Sequence, residues 1–196
     1  MNKSTVLEAD DPARLASELD EVVRRFLQTR GAVLQAAAEA IAARVRAGGK
    51  VLVFGNGGSA AEAQHFAAEL VNGFSRRDRA PLPAVALTAD TACLTAIGND
   101  RGFARVFSRQ VEALGRPGDV ALALTTSGTS PDVVEALEAA RAAKIVTVSL
   151  TGEQAGTIAP LSDFLLDVPS CSTPRIQEAH LFILHLLAGR LEADAF

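Results

Sequence analysis

The sequence predicts an α/β fold, and three observations carry that prediction. From residue 50 onward, five short apolar or β-rich runs alternate with helical stretches, the pattern of a parallel sheet with helices on both sides. Most of those runs are continuously apolar, as strands covered on both faces are. Glycine- or hydroxyl-rich turns follow two of the runs, where sheets of this kind bind ligands. The architecture expected is a three-layer αβα sandwich on a five-stranded parallel sheet of flavodoxin-like order, with an N-terminal helical extension.

Taken in order, residues 1–11 are polar and expected to fray. Residues 12–47 read as two helices. "PARLASELDEVVRRFL" spaces Leu15, Leu19, Val22, Val23 and Phe26 for one helix face, Gly31 interrupts, and "AVLQAAAEAIAARVRA" resumes until Gly48 and Gly49. The strands follow as "KVLVF" (50–54), "AVALT" (84–88), "DVALAL" (119–124), "IVTVSL" (145–150) and "FLLDV" (164–168). Helices are expected over 59–72, 103–114, 131–143 and 174–192, completing a sandwich over 50–192. No internal repeat or second-domain boundary interrupts the chain, so one domain over 1–196 is expected.

Composition narrows the function. The chain is 48% hydrophobic and 21% charged, as globular proteins are. A formal charge of -4, with no Trp and no Tyr, offers neither electrostatic attraction nor stacking surface for nucleic acid. Arg76, Arg77 and Arg79 form a short basic cluster interrupted by Asp78 and read as a solvated loop. Cys93 and Cys171 form no CxxC pair, which excludes a cysteine-type zinc site and calls for no disulfide. No apolar run approaches the roughly 20 residues that span a bilayer, and the first residues lack a signal peptide's apolar core. A cytoplasmic protein without nucleic-acid or membrane partners is expected.

Two turns can hold a phosphate. In "GNGGSAA", Gly55, Gly57 and Gly58 let the backbone approach a ligand, and Ser59 can cap the next helix, whose N–H groups favour an anion. The turn departs from a dinucleotide fingerprint, because Ala61 falls near the third glycine's place. A Gly-Lys-Ser/Thr phosphate loop is absent too. The second turn, "TTSGTSPD" (125–132), carries hydroxyls on five of its eight residues. Pro131 suits a first helical position and Ser130 its N-cap. Five hydroxyls exceed what capping requires, and with a helix N-terminus they make a neutral cradle for a phosphate monoester.

His65 and Glu69 stand at i, i+4 behind the first turn and share one helix face. The C-terminal helix is apolar around most of its circumference and should be buried, so Gln177, His180 and His185 within it need partners. At about 100° per residue, Gln177 and His185 lie about 80° apart and His180 about 140° from His185, so one of the two histidines is structural. Spacing does not say which. A Glu and a His beside a phosphate cradle suit proton shuttling next to a carbonyl, as in aldose–ketose isomerisation. The same His, Glu, Gln and His set could instead ligate a divalent metal.

Four segments, "GNGGSAAEAQHFAAEL", "LTAIGNDRGFARVFSRQVEALGRPGD", "TTSGTSPDVVEALEAA" and "RIQEAHLFILH", resemble the sugar isomerase (SIS) family, and within it the phosphoheptose isomerases, in family order over residues 12–192. The resemblance implies interconversion of D-sedoheptulose 7-phosphate and D-glycero-D-manno-heptose 7-phosphate through an enediol, the first step toward activated heptose. It implies one zinc per subunit at the positions of His65, Glu69, Gln177 and His185, with acid–base work at Glu69 and His185 and His180 left structural. A carboxamide ligand such as Gln177 would hold zinc weakly. Substrate contacts are implied at Asn56, Gly57, Gly58, Ser59, Glu69, Asn99, Asp100, Thr125, Thr126, Ser127, Ser130 and Gln177. A homotetramer with sites between subunits is implied as well.

Two positions depart from the family: Pro174 replaces an aspartate and Gly73 an arginine of some members. A non-enzymatic branch of the fold, comprising replication-initiator-associating proteins and sugar-phosphate-sensing regulators, also resembles "SAAEAQHFAA" and "ALTADTACLTAIGND". The initiator-associating protein has other residues at the positions of Glu69 and His185, both of which are present here.

Overall fold

The computed structural model describes residues 11–76 and 78–194. Among them, five parallel strands form one sheet: β1 (Val51–Gly55), β2 (Ala84–Ala86), β3 (Val120–Leu124), β4 (Val146–Thr151) and β5 (Phe164–Asp167). Their order is β2-β1-β3-β4-β5, with Val51 in register with Ala84 on one side and Val120 on the other. The chain moves outward from β1 to β2, then returns to β1's other flank for β3. The switch in strand order therefore lies between β1 and β3, and the turns at their carboxyl ends face one crevice.

Although β1 and β3 are apolar at every position, alternation sorts their side chains into two cores. Val51, Val53, Val120, Leu122 and Leu124 face α1 (Pro12–Arg46), α2 (Gly58–Asn72) and α6 (Thr173–Asp194). Leu52, Phe54, Ala121 and Ala123 face the layer that contains α3 (Thr91–Arg101), α4 (Ser108–Leu114) and α5 (Pro131–Ala142). The small alanines on the second face leave room for Val133, Ala136, Leu137 and Ala140 of α5 to pack close.

Several local expectations change. The two N-terminal helices are one helix of 35 residues, because Gly31 has nothing within 4 Å and no tertiary contact ends the helix there. A lone glycine costs a helix only about 1 kcal/mol relative to alanine, and Phe26, Leu34, Ala37, Ala38 and Ile41 bury the face on either side of it. Fraying expected over 1–11 lies outside the described residues except at Asp11, whose carboxylate accepts from Ala13 N at 3.0 Å and caps α1. The helix expected over 103–114 is a 3-10 turn (Phe103–Arg105) followed by α4. The sequence reading omitted α3, which buries only Ile97 and so shows little periodicity. The second strand is shorter than expected and lies at the sheet edge, with Val85 exposed. No helix among the described residues is long and apolar enough to cross a membrane.

Candidate active site

The crevice between β1 and β3 is walled by the two turns. Gly57 has φ +56, a left-handed conformation that suits glycine, and it is the N-cap of α2. That corrects the role expected for Ser59, which is buried inside the first helical turn rather than capping it. Gly58 lets the Gln177 amide approach closely: a Cβ there would come within 2.5 Å of its nitrogen and push that side chain aside. Asn56 Nδ2 donates to Asp132 Oδ2 at 2.8 Å and so ties the β1 turn to the start of α5.

The hydroxyl turn is held loosely within itself. Thr125 Oγ1 stands 3.4 Å from both Ser127 Oγ and Ser130 Oγ, and the two serine oxygens are 3.5 Å apart. Gly128 N and Thr129 N donate into the cluster at 3.3 Å. These lengths exceed good hydrogen bonds, so the hydroxyls gather around a point without satisfying one another. Ser130 is the N-cap of α5, as expected, although its side chain makes no capping bond and belongs to the cluster. Asn56, Ser59, Thr125, Thr126, Ser130 and Gln177 line a cleft of about 70 Å³ here. A broader cleft of about 370 Å³ continues along Thr126, Ser127 and Thr129 toward Cys171.

On the other side of α2, three side chains converge from two helices. Glu69 Oε1 lies 2.9 Å from His65 Nε2 and 3.4 Å from His185 Nε2. The two imidazole nitrogens are 3.1 Å apart. Glu69 Oε2 is buried without a hydrogen-bond partner among the described residues. Suitable ligand atoms from all three residues fall within 4.8 Å of one another. Two imidazole nitrogens and a carboxylate directed at one point, with an orphaned buried oxygen beside them, fit a divalent cation or a shared proton.

Gln177 is not joined to this trio by any hydrogen bond among the described residues; its amide packs on Gly58 and lines the hydroxyl cleft. Asn99 and Asp100 lie on α3, exposed and bonded to each other at 2.8 Å, and no hydrogen bond among the described residues ties them to either half of the site.

The structure separates the two histidines that spacing left equivalent. His180 is fully buried, its Nε2 3.2 Å from the Thr151 carbonyl, and burial pulls its pKa down to about 4 despite that bond. Its Nδ1 faces Glu62 Oε2 at 4.0 Å, and both atoms lack a hydrogen-bond partner. Burial raises the Glu62 carboxyl to about 7. His180 is thus buried away from the trio, and His185 is the histidine of α6 that joins His65 and Glu69.

The basic cluster needs correction. Arg79 is not solvated: it is buried and pairs with Glu192 at 2.9 Å. Gly73 closes α2 at φ +122, a backbone region in which an arginine would be strained. Sequence reasoning passed over Glu62, Phe74, Asp132 and Glu192 and misread Arg79. A signal existed for Glu192, because seven residues after His185 returns to within about 20° of it on a helix. A carboxylate in that apolar stripe needs a partner.

Comparison with known proteins places the chain. The SIS domain family profile matches residues 15–152. A phosphoheptose isomerase of a Roseiflexus species is 50% identical, covering 90% of this chain and 89% of its own. The solved phosphoheptose isomerase of Neisseria gonorrhoeae is 43% identical with a TM-score of 0.84, over 92% of this chain and 98% of its own. That of Francisella tularensis is 36% identical with a TM-score of 0.89, over 92% and 96%.

Proposed function

Because the chain belongs to the SIS-domain family and, within it, to the phosphoheptose isomerases, we propose that it converts D-sedoheptulose 7-phosphate to D-glycero-D-manno-heptose 7-phosphate as a cytoplasmic enzyme of activated-heptose synthesis. The observation that carries the reading is the convergence of Glu69, His65 and His185 from α2 and α6, with the N-terminal turn of α2 walling the cleft of loosely bonded hydroxyls. A sugar phosphate spans such a site with its phosphate on Thr125, Thr126, Ser127 and Ser130 and its carbonyl end toward Glu69. Asn56, Gly57, Gly58, Ser59 and Gln177 would contact the body of the sugar. Asn99 and Asp100 would reach substrate only from a neighbouring subunit or after a movement of α3.

In this assignment Glu69 removes a proton from C1 of the ketose while His185 protonates the C2 oxygen, giving an enediol. His185 then takes the proton from the C1 hydroxyl as Glu69 returns one to C2, and the aldose results with every proton accounted for. The divalent cation, which we assign as zinc with Gln177 as an additional weak ligand, would supply Lewis-acid stabilisation of the developing oxyanion. His65 orients Glu69 through the 2.9 Å contact. Exposed Leu27, Phe182 and Leu186 on the outer faces of α1 and α6 support a homotetramer of one-domain subunits, which sedimentation would test.

Incubation with sedoheptulose 7-phosphate in deuterated water tests the reaction. An aldoheptose phosphate carrying deuterium at C2 is expected, lost on chelation and restored by zinc. No product with any metal would overturn the heptose assignment and turn attention to the non-enzymatic binding role.

A further inference from the structure

Beyond the reacting groups, one carboxylate gathers an unusual number of donors. Glu192 on α6 accepts from Phe74 N at 2.7 Å, Ser75 N at 3.0 Å, Ser75 Oγ at 2.6 Å, Arg76 N at 3.1 Å and Arg79 Nε at 2.9 Å. The side chains of Arg79 and Glu192 are only 1% and 2% exposed. Burial pushes the Glu192 carboxyl up, but Ser75, Arg79 and the backbone donors outweigh it and hold its pKa down at about 2. It is a permanent anion built to grip the segment that leaves α2.

The grip reaches the site by two routes. Arg79 Nη2 donates at 2.7 Å to the main-chain carbonyl of Glu69, which already accepts from Gly73 N at 2.9 Å. Phe74, first in the gripped segment, stacks on His185 with ring centroids 5.4 Å apart and planes 27° from parallel. The ring lies against α6 at Gly189, where an added Cβ would stand 3.6 Å away. His185, Gly189 and Glu192 follow at i, i+4 and i+7, so one stripe of α6 carries the imidazole, the floor under Phe74 and the carboxylate that holds Phe74 in place.

We propose that Glu192, Arg79 and Phe74 are positioning residues for this reaction: Glu192 latches Phe74, Ser75, Arg76 and Arg79 onto α6, holding the Glu69 backbone through Arg79 and the His185 ring through Phe74. The latch rests on the assignment of Glu69 and His185 to the chemistry. It follows from the way the site is made. The two residues come from different helices, and a relative shift of α2 against α6 would separate them. The latch crosslinks those helices about one to two turns beyond the reacting groups. Each of its members acts through Glu69 or His185. Groups that orient a ligating or reacting histidine typically change metal affinity or activity by about 10–100-fold when removed.

The test is NMR of the His185 ring protons together with zinc affinity and steady-state kinetics, on full-length Glu192→Gln and Phe74→Leu. In the unaltered protein the stacked Phe74 ring should shift the His185 signals upfield. Both variants should move them back toward the values of a free imidazole. Zinc binding should weaken about tenfold or more, and kcat should fall by a similar factor while KM stays within about twofold. Arg30→Leu serves as the control. It breaks the ion pair of Arg30 with Asp167, on α1 and β5, and should lower the melting temperature without moving the His185 signals.

If Glu192→Gln does not fold, because the Arg79 charge is left buried and unpaired, Phe74→Leu alone decides, since that ring is partly exposed. Folded variants with unchanged zinc affinity and kcat would overturn the latch, whatever their His185 signals, because Phe74→Leu removes the ring current in any case. An unaltered protein that shifts its His185 signals but never isomerises would overturn the functional assignment and leave the latch standing.

Discussion

The two halves of the site are built in opposite ways. The hydroxyl cradle comes from one unbroken stretch, Thr125 to Ser130, between a buried strand and a proline-started helix. The histidine–glutamate centre comes from α2 and α6, with His65 and His185 separated by 120 residues and brought to 3.1 Å. The cradle is a local conformation repeated in any fold that supplies a strand and a helix. The centre exists only when two helices hold their relative position, so it needs fixing from outside itself. Under the proposed function the contrast predicts different vulnerabilities: a loop change should weaken binding, while a change between helices should weaken turnover.

The largest expected effect sharpens that division. Glu69→Gln should lower turnover by about 10²–10⁴-fold, with melting temperature and sugar-phosphate binding nearly unchanged in calorimetry. Equal losses of affinity and turnover would break the division. At the cradle, Ser127→Ala should raise KM several-fold, the worth of one hydrogen bond of about 1 kcal/mol, and leave kcat within about twofold. A kcat loss as large as that of Glu69→Gln would place the hydroxyl in the chemistry instead.

Behind the centre, Glu62 offers a pH test. Burial raises its carboxyl to about 7 from an ordinary 4.5, so the folded state holds the proton more tightly than the unfolded chain. Its cost to stability is absent below about pH 4.5, grows as pH rises, and is complete above about 7. Glu62→Gln stays neutral and keeps the volume. It should therefore be more stable than the unaltered protein at pH 8, by about 1–3 kcal/mol, and the difference should shrink toward pH 5. Neighbouring His180, depressed to about 4, titrates in both proteins and drops out of that difference. Thermal melts across pH 5–8 check this. The smallest effect lies far from the site: Gly31→Ala should stabilise α1 by about 0.5–1 kcal/mol, since nothing occupies the space beside Gly31. Destabilisation would mean that a second subunit occupies that space.

The sequence by itself determined the sandwich, because continuously apolar strands and the turns between them are short-range patterns. The hydroxyl turn was legible for the same reason, and the candidate centre was reduced to His65, Glu69 and one of two histidines. Helical spacing could not choose between His180 and His185. That choice depends on which side of α6 meets the end of β4 and which meets α2, and only packing decides it. The latch was invisible for a related reason. Arg79 in its basic cluster reads as a solvated charge until α6 delivers Glu192 to it. α1 shows the converse, since a glycine that should stop a helix does not do so when buried faces on both sides outweigh its propensity. Local pattern records what a segment can be, and a buried charge or a histidine's role is a property of the partner that folding brings from a distant part of the chain.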